Sequence, residues 1–213
     1  MATPADFMAW QRDTLVPKAR ETVDRRLGGL DRTALSPVAR EAMARLVEWD
    51  GRADTAAVAP TLYRAWGAFG EDGPALERAC RWLARRYGAD QTGWTWGRVH
   101  QARIEHPLAE LDSTWNPPLF PRAGDRGTLN VAGYARFDTM ATPPLVVTHG
   151  PALRFVTDFA VGGETRGVLM PGVSGDPDSP HRLDQLDDWR SGRLRALSAP
   201  GVRPTGTTET IRP

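Results

Sequence analysis

The sequence is short of several things, and each shortage excludes a class of function. It has one cysteine, Cys80, which excludes an internal disulfide framework and any multi-cysteine metal site. It has no surplus of charge: 27 Lys+Arg against 26 Asp+Glu leave +1, where a polyanion binder would carry a basic excess. Nucleic acid is therefore not an expected partner. It has no apolar run near the roughly 18–20 residues that a membrane helix needs, so no membrane partner is expected either. Met1–Asp6 has neither a basic n-region nor an apolar h-region and does not read as a signal peptide. It also has almost no lysine. Lys18 stands alone and every other basic residue is arginine; because the arginines are spread along the chain, this reads as coding bias.

What is present in quantity is 21 glycines and 18 prolines, unevenly placed over 213 residues. They divide the chain into an α part and a β part, giving an α+β fold class. Residues 1–90 read as helical. Phe7, Met8 and Trp10 open a short amphipathic stretch, and Pro17 suits the first turn of a helix ending at Gly28-Gly29. Ser36-Pro37 is an N-cap oxygen followed by proline at the first helical position, with Gly51 as the stop. Leu62, Trp66 and Phe69 carry the next helix. Leu76, Cys80, Leu83 and Tyr87 line a fourth, opened by Asp72 or Gly73 before Pro74 and closed by Gly88.

Residues 91–198 read as strands and loops. Expected strands are Trp94–Gln101, Leu129–Phe137, Leu145–Thr148, Leu153–Phe159 and Arg166–Met170, with Gly162-Gly163 as a hairpin turn. One closing helix is expected over Leu183–Trp189, after Ser179-Pro180. Residues 199–213, rich in Pro, Thr and Gly, are expected to form a flexible tail. Four or so strands with long loops leave edges exposed, a physical hint that the chain is a piece of something larger.

Local chemistry offers few candidates. His100 and His106 would lie about 20 Å apart on a strand at ~3.3 Å per residue, too far to share an ion, so hydrogen-bonded structural roles are expected and no metal site. Ser174 or Ser179 with His149 or His181 and Asp158 or Asp184 would make a serine triad. Gly172-Val173-Ser174-Gly175, however, breaks the G-x-S-x-G elbow rule: the second glycine follows the serine directly. Asp176-Pro177-Asp178 lacks the rest of a calcium loop, and capping of the helix after Ser179-Pro180 is expected. Cys80 lies on an apolar helix face and reads as a packed thiol. Trp94 and Trp96 would share a strand face and form a ligand platform, against the default of core packing. No glycine loop matches a phosphate-cradling fingerprint. No catalytic, cofactor-binding or metal residue, and no cofactor, is expected within the chain.

Whole segments carry more. Leu46-Val47-Glu48-Trp49-Asp50-Gly51-Arg52 followed by Thr61-Leu62-Tyr63-Arg64-Ala65-Trp66 resembles a W-D-G … Y-x-x-W stretch. Trp96-Gly97-Arg98-Val99-His100, leading to Glu105-His106-Pro107-Leu108, resembles W-G-x-x-H … x-H-P-L. His149-Gly150-Pro151-Ala152-Leu153-Arg154, running on to Asp158, is similar to an x-G-P-S-x-R-x-x-x-D strand. Pro171 to His181, with Asp184-Gln185 and Trp189, is similar to P-G-Q-S-G-N-P-x-S-P-H-Y-x-D-Q … W, with Val173, Asp176 and Arg182 in place of Gln, Asn and Tyr. In this order, over about residues 7–195, the segments resemble the C-terminal part of the large (β) subunit of the penicillin acylase (penicillin amidase) family, within the N-terminal-nucleophile (Ntn) hydrolases.

The resemblance implies a four-layer αββα sandwich with an inserted helical domain. It implies amide hydrolysis by an N-terminal Ser whose own α-amine, titrating near ~7.7–8.0, is the base, with an Asn side chain in the oxyanion hole. Those groups lie upstream in the family, and no Gly-Ser junction occurs in this sequence. The resemblance therefore carries over no catalytic residue; His100, Arg103, Asp158 and His181 match family positions and are expected to hold strands and loops together. The expectation is a C-terminal fragment, inactive alone. Its partners would be the nucleophile-bearing part of the large subunit and the small subunit, and the assembled enzyme would act on a small N-acyl substrate. Family members are often exported. Two other readings stand beside it: a non-catalytic subunit or binding module complementing a separate Ntn chain, and a self-contained hydrolase using Ser174.

Overall fold

The computed structural model describes residues 2–160 and 162–197; the expected tail over 199–213 lies outside them. The described residues form a mixed α+β structure of seven α-helices and two small sheets. The chain divides into two compact units: a central unit, Trp10–Pro151, and a terminal unit, Met1–Ala9 with Ala152–Pro213.

Helix α1 (Pro4–Trp10) comes first in the chain. The central unit is built on α2 (Ala19–Gly28), α3 (Pro37–Val47), α4 (Ala59–Phe69) and α5 (Gly73–Tyr87). The start signals read from the sequence have their physical counterparts. Ser36 Oγ accepts from the Ala39 amide at 3.2 Å, and Asp72 Oδ1 accepts from the Ala75 amide at 2.7 Å, each satisfying a first-turn N–H. Pro37 and Pro74 sit in those first turns, where no N–H is missed. The apolar stripes meet in one core: Leu46 of α3, Leu62 and Trp66 of α4, and Leu76 and Leu83 of α5 are all completely buried. Each such leucine contributes about 1.5–3 kcal/mol by leaving water. Cys80 is buried among them, and burial pushes its thiol up to about 12.

The next stretch departs from the expected strand over Trp94–Gln101. Gln91–Gly93 is a 3₁₀ turn, Trp96–Val99 is a short helix, α6, and only His100–Ala102 is extended, as β1. Aromatic and β-branched content suggested a strand, but tertiary hydrogen bonds decide otherwise. The amides of Trp96 and Gly97 donate to Ala57 O at 2.7 Å and Thr55 O at 2.8 Å, which uses first-turn donors on another segment and frees the chain to coil. β1 then pairs antiparallel with β2 (Phe120–Pro121) and parallel with β4 (Leu145–His149), and β3 (Gly133–Tyr134) closes the order β2-β1-β4-β3. The expected strand over Leu129–Phe137 shrinks to those two residues of β3, because residues 124–132 wrap into a tight loop in which Ala132 N and Thr128 N both donate to Asp125 O.

The terminal unit carries an antiparallel sheet of β5 (Leu153–Thr157), β6 (Thr165–Leu169) and β7 (Arg195–Ala196). β5 and β6 pair across the expected turn at Gly162-Gly163. Helix α7 (Leu186–Ser191) starts three residues later than expected. Ser179 Oγ accepts instead from His181 N within a turn, and Gln185 N is held by Pro171 O. Gly172 is required where it stands: a Cβ there would lie 2.2 Å from His181 O.

Candidate functional site

The sheet of the terminal unit has two unlike faces. On one, Arg154 and Val168 are paired neighbours, both buried, and the Arg154 guanidinium lies 4.8 Å from the centre of the Trp189 ring of α7. Asp188 on the same helix accepts from Arg193 Nε and, at 2.6 Å, from Arg195 Nε of β7; these two donors hold its pKa below the ordinary carboxylate value. That face is covered and tied down. On the other, the register Leu153↔Leu169 and Phe155↔Gly167 puts Leu153, Phe155 and Leu169 together. Leu197 joins them, since a Cβ on Gly167 would fall 2.7 Å from its Cδ1. Leu153 is 51%, Phe155 54% and Leu197 58% exposed. This is an apolar patch, the signature of a docking surface.

The central unit has the opposite arrangement, a polar cluster gathered around a buried carboxylate. Asp125 is completely buried. Its Oδ2 receives Arg64 Nε at 2.7 Å and Arg64 Nη2, while Oδ1 receives Tyr134 Oη at 2.7 Å. Burial works against the Arg64 charge, but the Asp125 carboxylate outweighs it and raises the arginine pKa. Burial and the same carboxylate push the Tyr134 phenol up, so it stays a donor. Beside this pair, Arg122 Nη2 donates to Asn130 Oδ1 at 2.7 Å and to Val131 O. His100 is stacked on Trp96, with ring centres 4.2 Å apart, and its Nδ1 lies 2.6 Å from Arg122 O. Burial lowers the His100 pKa to about 4. At neutral pH it is an uncharged, inaccessible imidazole with Nε2 unpartnered. The whole loop turns on Gly124, at φ +87°, where a Cβ would sit 2.0 Å from Asn130 O. Every acid and phenol here is committed to a partner, so the cluster locks the loop.

The residues singled out in the sequence are placed as follows. Trp94 and Trp96 are completely buried and donate to Gly88 O at 2.8 Å and Gly124 O at 3.0 Å; they are core, with their N–H groups satisfied. Ser174 Oγ accepts from Asp176 N at 3.1 Å, and Asp176 Oδ1 accepts from Asp178 N at 3.0 Å, so this acidic run is turn chemistry. His181 Nδ1 faces Asp184 Oδ2 at 3.4 Å, and His149 Nδ1 faces Thr148 Oγ1 at 2.8 Å. Asp158 Oδ1 accepts from Ala160 N, and Arg103 joins β4 through its main-chain bond to Val147 O. His106 Nδ1 accepts from Leu108 N at 3.1 Å. Among the described residues no three His, Cys, Asp or Glu side chains converge to hold a metal ion. Sequence reasoning missed Asp125, Arg64 and Tyr134. The only signal was the dense polar turn Gly124-Asp125-Arg126-Gly127-Thr128, which does not reveal burial.

Comparison with known proteins gives this arrangement a context. Three similar curated proteins are an acyl-homoserine lactone acylase QuiP of Pseudomonas syringae (29% identical over 117 residues, 52% of this chain), one of Pseudomonas fluorescens (34% over 110, 52%) and a penicillin acylase 2 proenzyme of a Pseudomonas species (35% over 102, 46%). The match covers only 13%, 12% and 12% of those proteins, respectively, so the chain spans about an eighth of the relatives it matches. The penicillin amidase family model matches residues 1–70 and 73–200, which is nearly the whole sequence, and the chain therefore belongs to the penicillin amidase family, one of the Ntn hydrolases.

Proposed function

We propose that this chain is the C-terminal segment of the large subunit of a penicillin-amidase-type amide hydrolase. The hydrolase would remove the acyl group from an N-acylated substrate with an N-terminal Ser that lies outside the chain. The observation that carries the reading is the two-faced sheet of the terminal unit. One face is covered by a helix through Trp189 and Arg154, and the other is apolar and part-exposed at Leu153, Leu169 and Leu197. A helix layer on one side and a part-exposed apolar β face on the other supports the reading of half an αββα sandwich, whose second sheet would meet that face. The short span relative to the acylase relatives supports the same reading.

In that role the segment supplies scaffold. The acyl-homoserine lactone and penicillin acylases among the relatives suggest an N-acyl homoserine lactone or a penicillin-type amide as substrate class, with the acyl pocket largely on the remainder of the enzyme. Loss of the nucleophile is not compensated by scaffold, so the 213-residue chain alone is inactive. The test is twofold. The chain is assayed against an N-acyl homoserine lactone and a penicillin-type amide, and the intact mass and N-terminal residue of the native protein are read from source cells. Absence of turnover together with a larger native polypeptide beginning with Ser supports the proposal. A native chain of 23.4 kDa would replace it with a complementing subunit. Turnover by the chain that is lost in Ser174→Ala would replace it with a self-contained hydrolase.

A further inference from the structure

The central unit contains a pocket of about 450 Å³, lined by four arginines, Arg26, Arg64, Arg126 and Arg136, and by Tyr63, Tyr134, Phe137 and Leu145 among others. The guanidiniums are gathered by the tyrosines. Arg26 and Arg64 each lie 5.1 Å from the centre of the Tyr63 ring, and Arg126 lies 4.6 Å from that of Tyr134. Arg26 and Arg64 are therefore within about one Debye length of each other, partly withdrawn from water. Like charges held this way repel, and a concave wall focuses their field.

The neighbouring carboxylates offset only part of it. Asp125 is committed to Arg64, and Glu71 bridges Arg25 and Arg26 at the surface. Arg126 spends its fork on the main-chain oxygens of Tyr134 and Ala135. Among the described residues neither Arg126 nor Arg136 is paired with a carboxylate. The side chain of Arg26 is only 9% exposed, and its Nε and Nη1 are buried with no acceptor. Buried guanidinium donors without acceptors are costly, and an excess of cation around a cavity is the electrostatic complement of an anion.

We propose that this pocket is a carboxylate-binding site. A planar carboxylate matches the arginine fork two bonds at a time, and Phe137 and Leu145 supply an apolar wall for whatever carries it. The carboxylate comes either from a free small molecule with an apolar tail or from an aspartate or glutamate side chain of an adjoining segment; the headgroup chemistry is the same. The inference is independent of where the nucleophile lies.

Calorimetric titration of the 213-residue chain with octanoate in low-salt buffer tests it. One-site binding is expected, weakened at least tenfold in Arg136→Gln and several-fold in Arg136→Lys, which keeps the charge but loses the fork. Arg136 is exposed and makes no hydrogen bond with another described residue, so its variant keeps the wild-type melting temperature, and that measurement separates lost binding from lost folding. Acetate as a second probe distinguishes the sources. Octanoate binding tenfold or more tighter than acetate assigns the site to a tailed small molecule, and a smaller ratio assigns it to a side-chain carboxylate. No heat with either probe, or equal affinity in wild type and both variants, overturns the proposal.

Discussion

The central and terminal units solve the problem of burial in opposite ways. The central unit buries polar groups inside an extensive apolar core. Asp125 sits fully inside, with Arg64 and Tyr134 around it, and two dozen or more apolar residues from α2 to β4 are withdrawn from water. The terminal unit buries few: among the described residues only Val168, Trp189 and Leu194 are apolar and buried there, while Phe155, Leu153, Leu197 and Phe159 face out. One unit reads as a finished core and the other as half of one. Apolar residues gathered on one sheet face, as Leu153, Leu169 and Leu197 are, mark a surface suited to docking.

Four experiments sharpen or break that contrast. The largest effect is expected from Asp125→Ala, which takes the acceptor from the Tyr134 hydroxyl, the Arg126 amide and the part-buried Arg64 guanidinium; at about 1–3 kcal/mol per stranded donor, it is read as a fall in the urea midpoint by tryptophan fluorescence. Seven of the eight tryptophans lie in the central unit, so that signal reports on it. The second is pH. His100 has a pKa of about 4 in the folded chain against ~6.5 unfolded. The unfolded chain takes up its proton first as pH falls. The stability His100 contributes is thus complete above pH 6.5 and lost between about 6.5 and 4, amounting to about 3 kcal/mol. Urea midpoints measured from pH 7.5 to 4 check both sign and window; a flat profile would contradict a buried neutral imidazole.

The third is Ser36→Ala, which removes the cap of α3 and the hydroxyl bond to Glu77; about 1 kcal/mol is expected, checked by thermal melting. The smallest is Leu153→Lys. On an exposed position of β5 it changes stability by no more than about 0.5 kcal/mol, yet under the proposed function it should abolish assembly with the proposed acylase partner in a co-expression pull-down. If the variant instead unfolds the chain, the open face is a core face and the contrast fails.

Much of the backbone was legible because its signals are local. Ser36-Pro37 and Asp72 before Pro74 announce helices through atoms three residues away, and β4, β5 and β6 follow from short β-branched runs between turn residues. The failures share a cause. Trp96 was misread as strand because its helical turn is fixed by Ala57 O, far off in sequence. The pairing of β1 with β4 brings His100 beside Leu145 with no local mark of register. Asp125 is as polar as any loop aspartate; only the approach of Arg64, 61 residues earlier, makes it a core residue. The segment-by-segment family resemblance reached past this limit, since it reads long-range order that single-residue chemistry does not encode.

Lys18 has a practical consequence. It is the sequence's single lysine, exposed immediately ahead of α2, with a left-handed backbone at φ 59°. Cys80, the only thiol, is buried and strongly disinclined to ionise. Lysine-directed chemistry therefore has one side-chain address on this protein and thiol chemistry effectively none. A dye or a surface tether coupled there marks every copy at the same point of the central unit, leaving the apolar sheet face of the terminal unit chemically untouched.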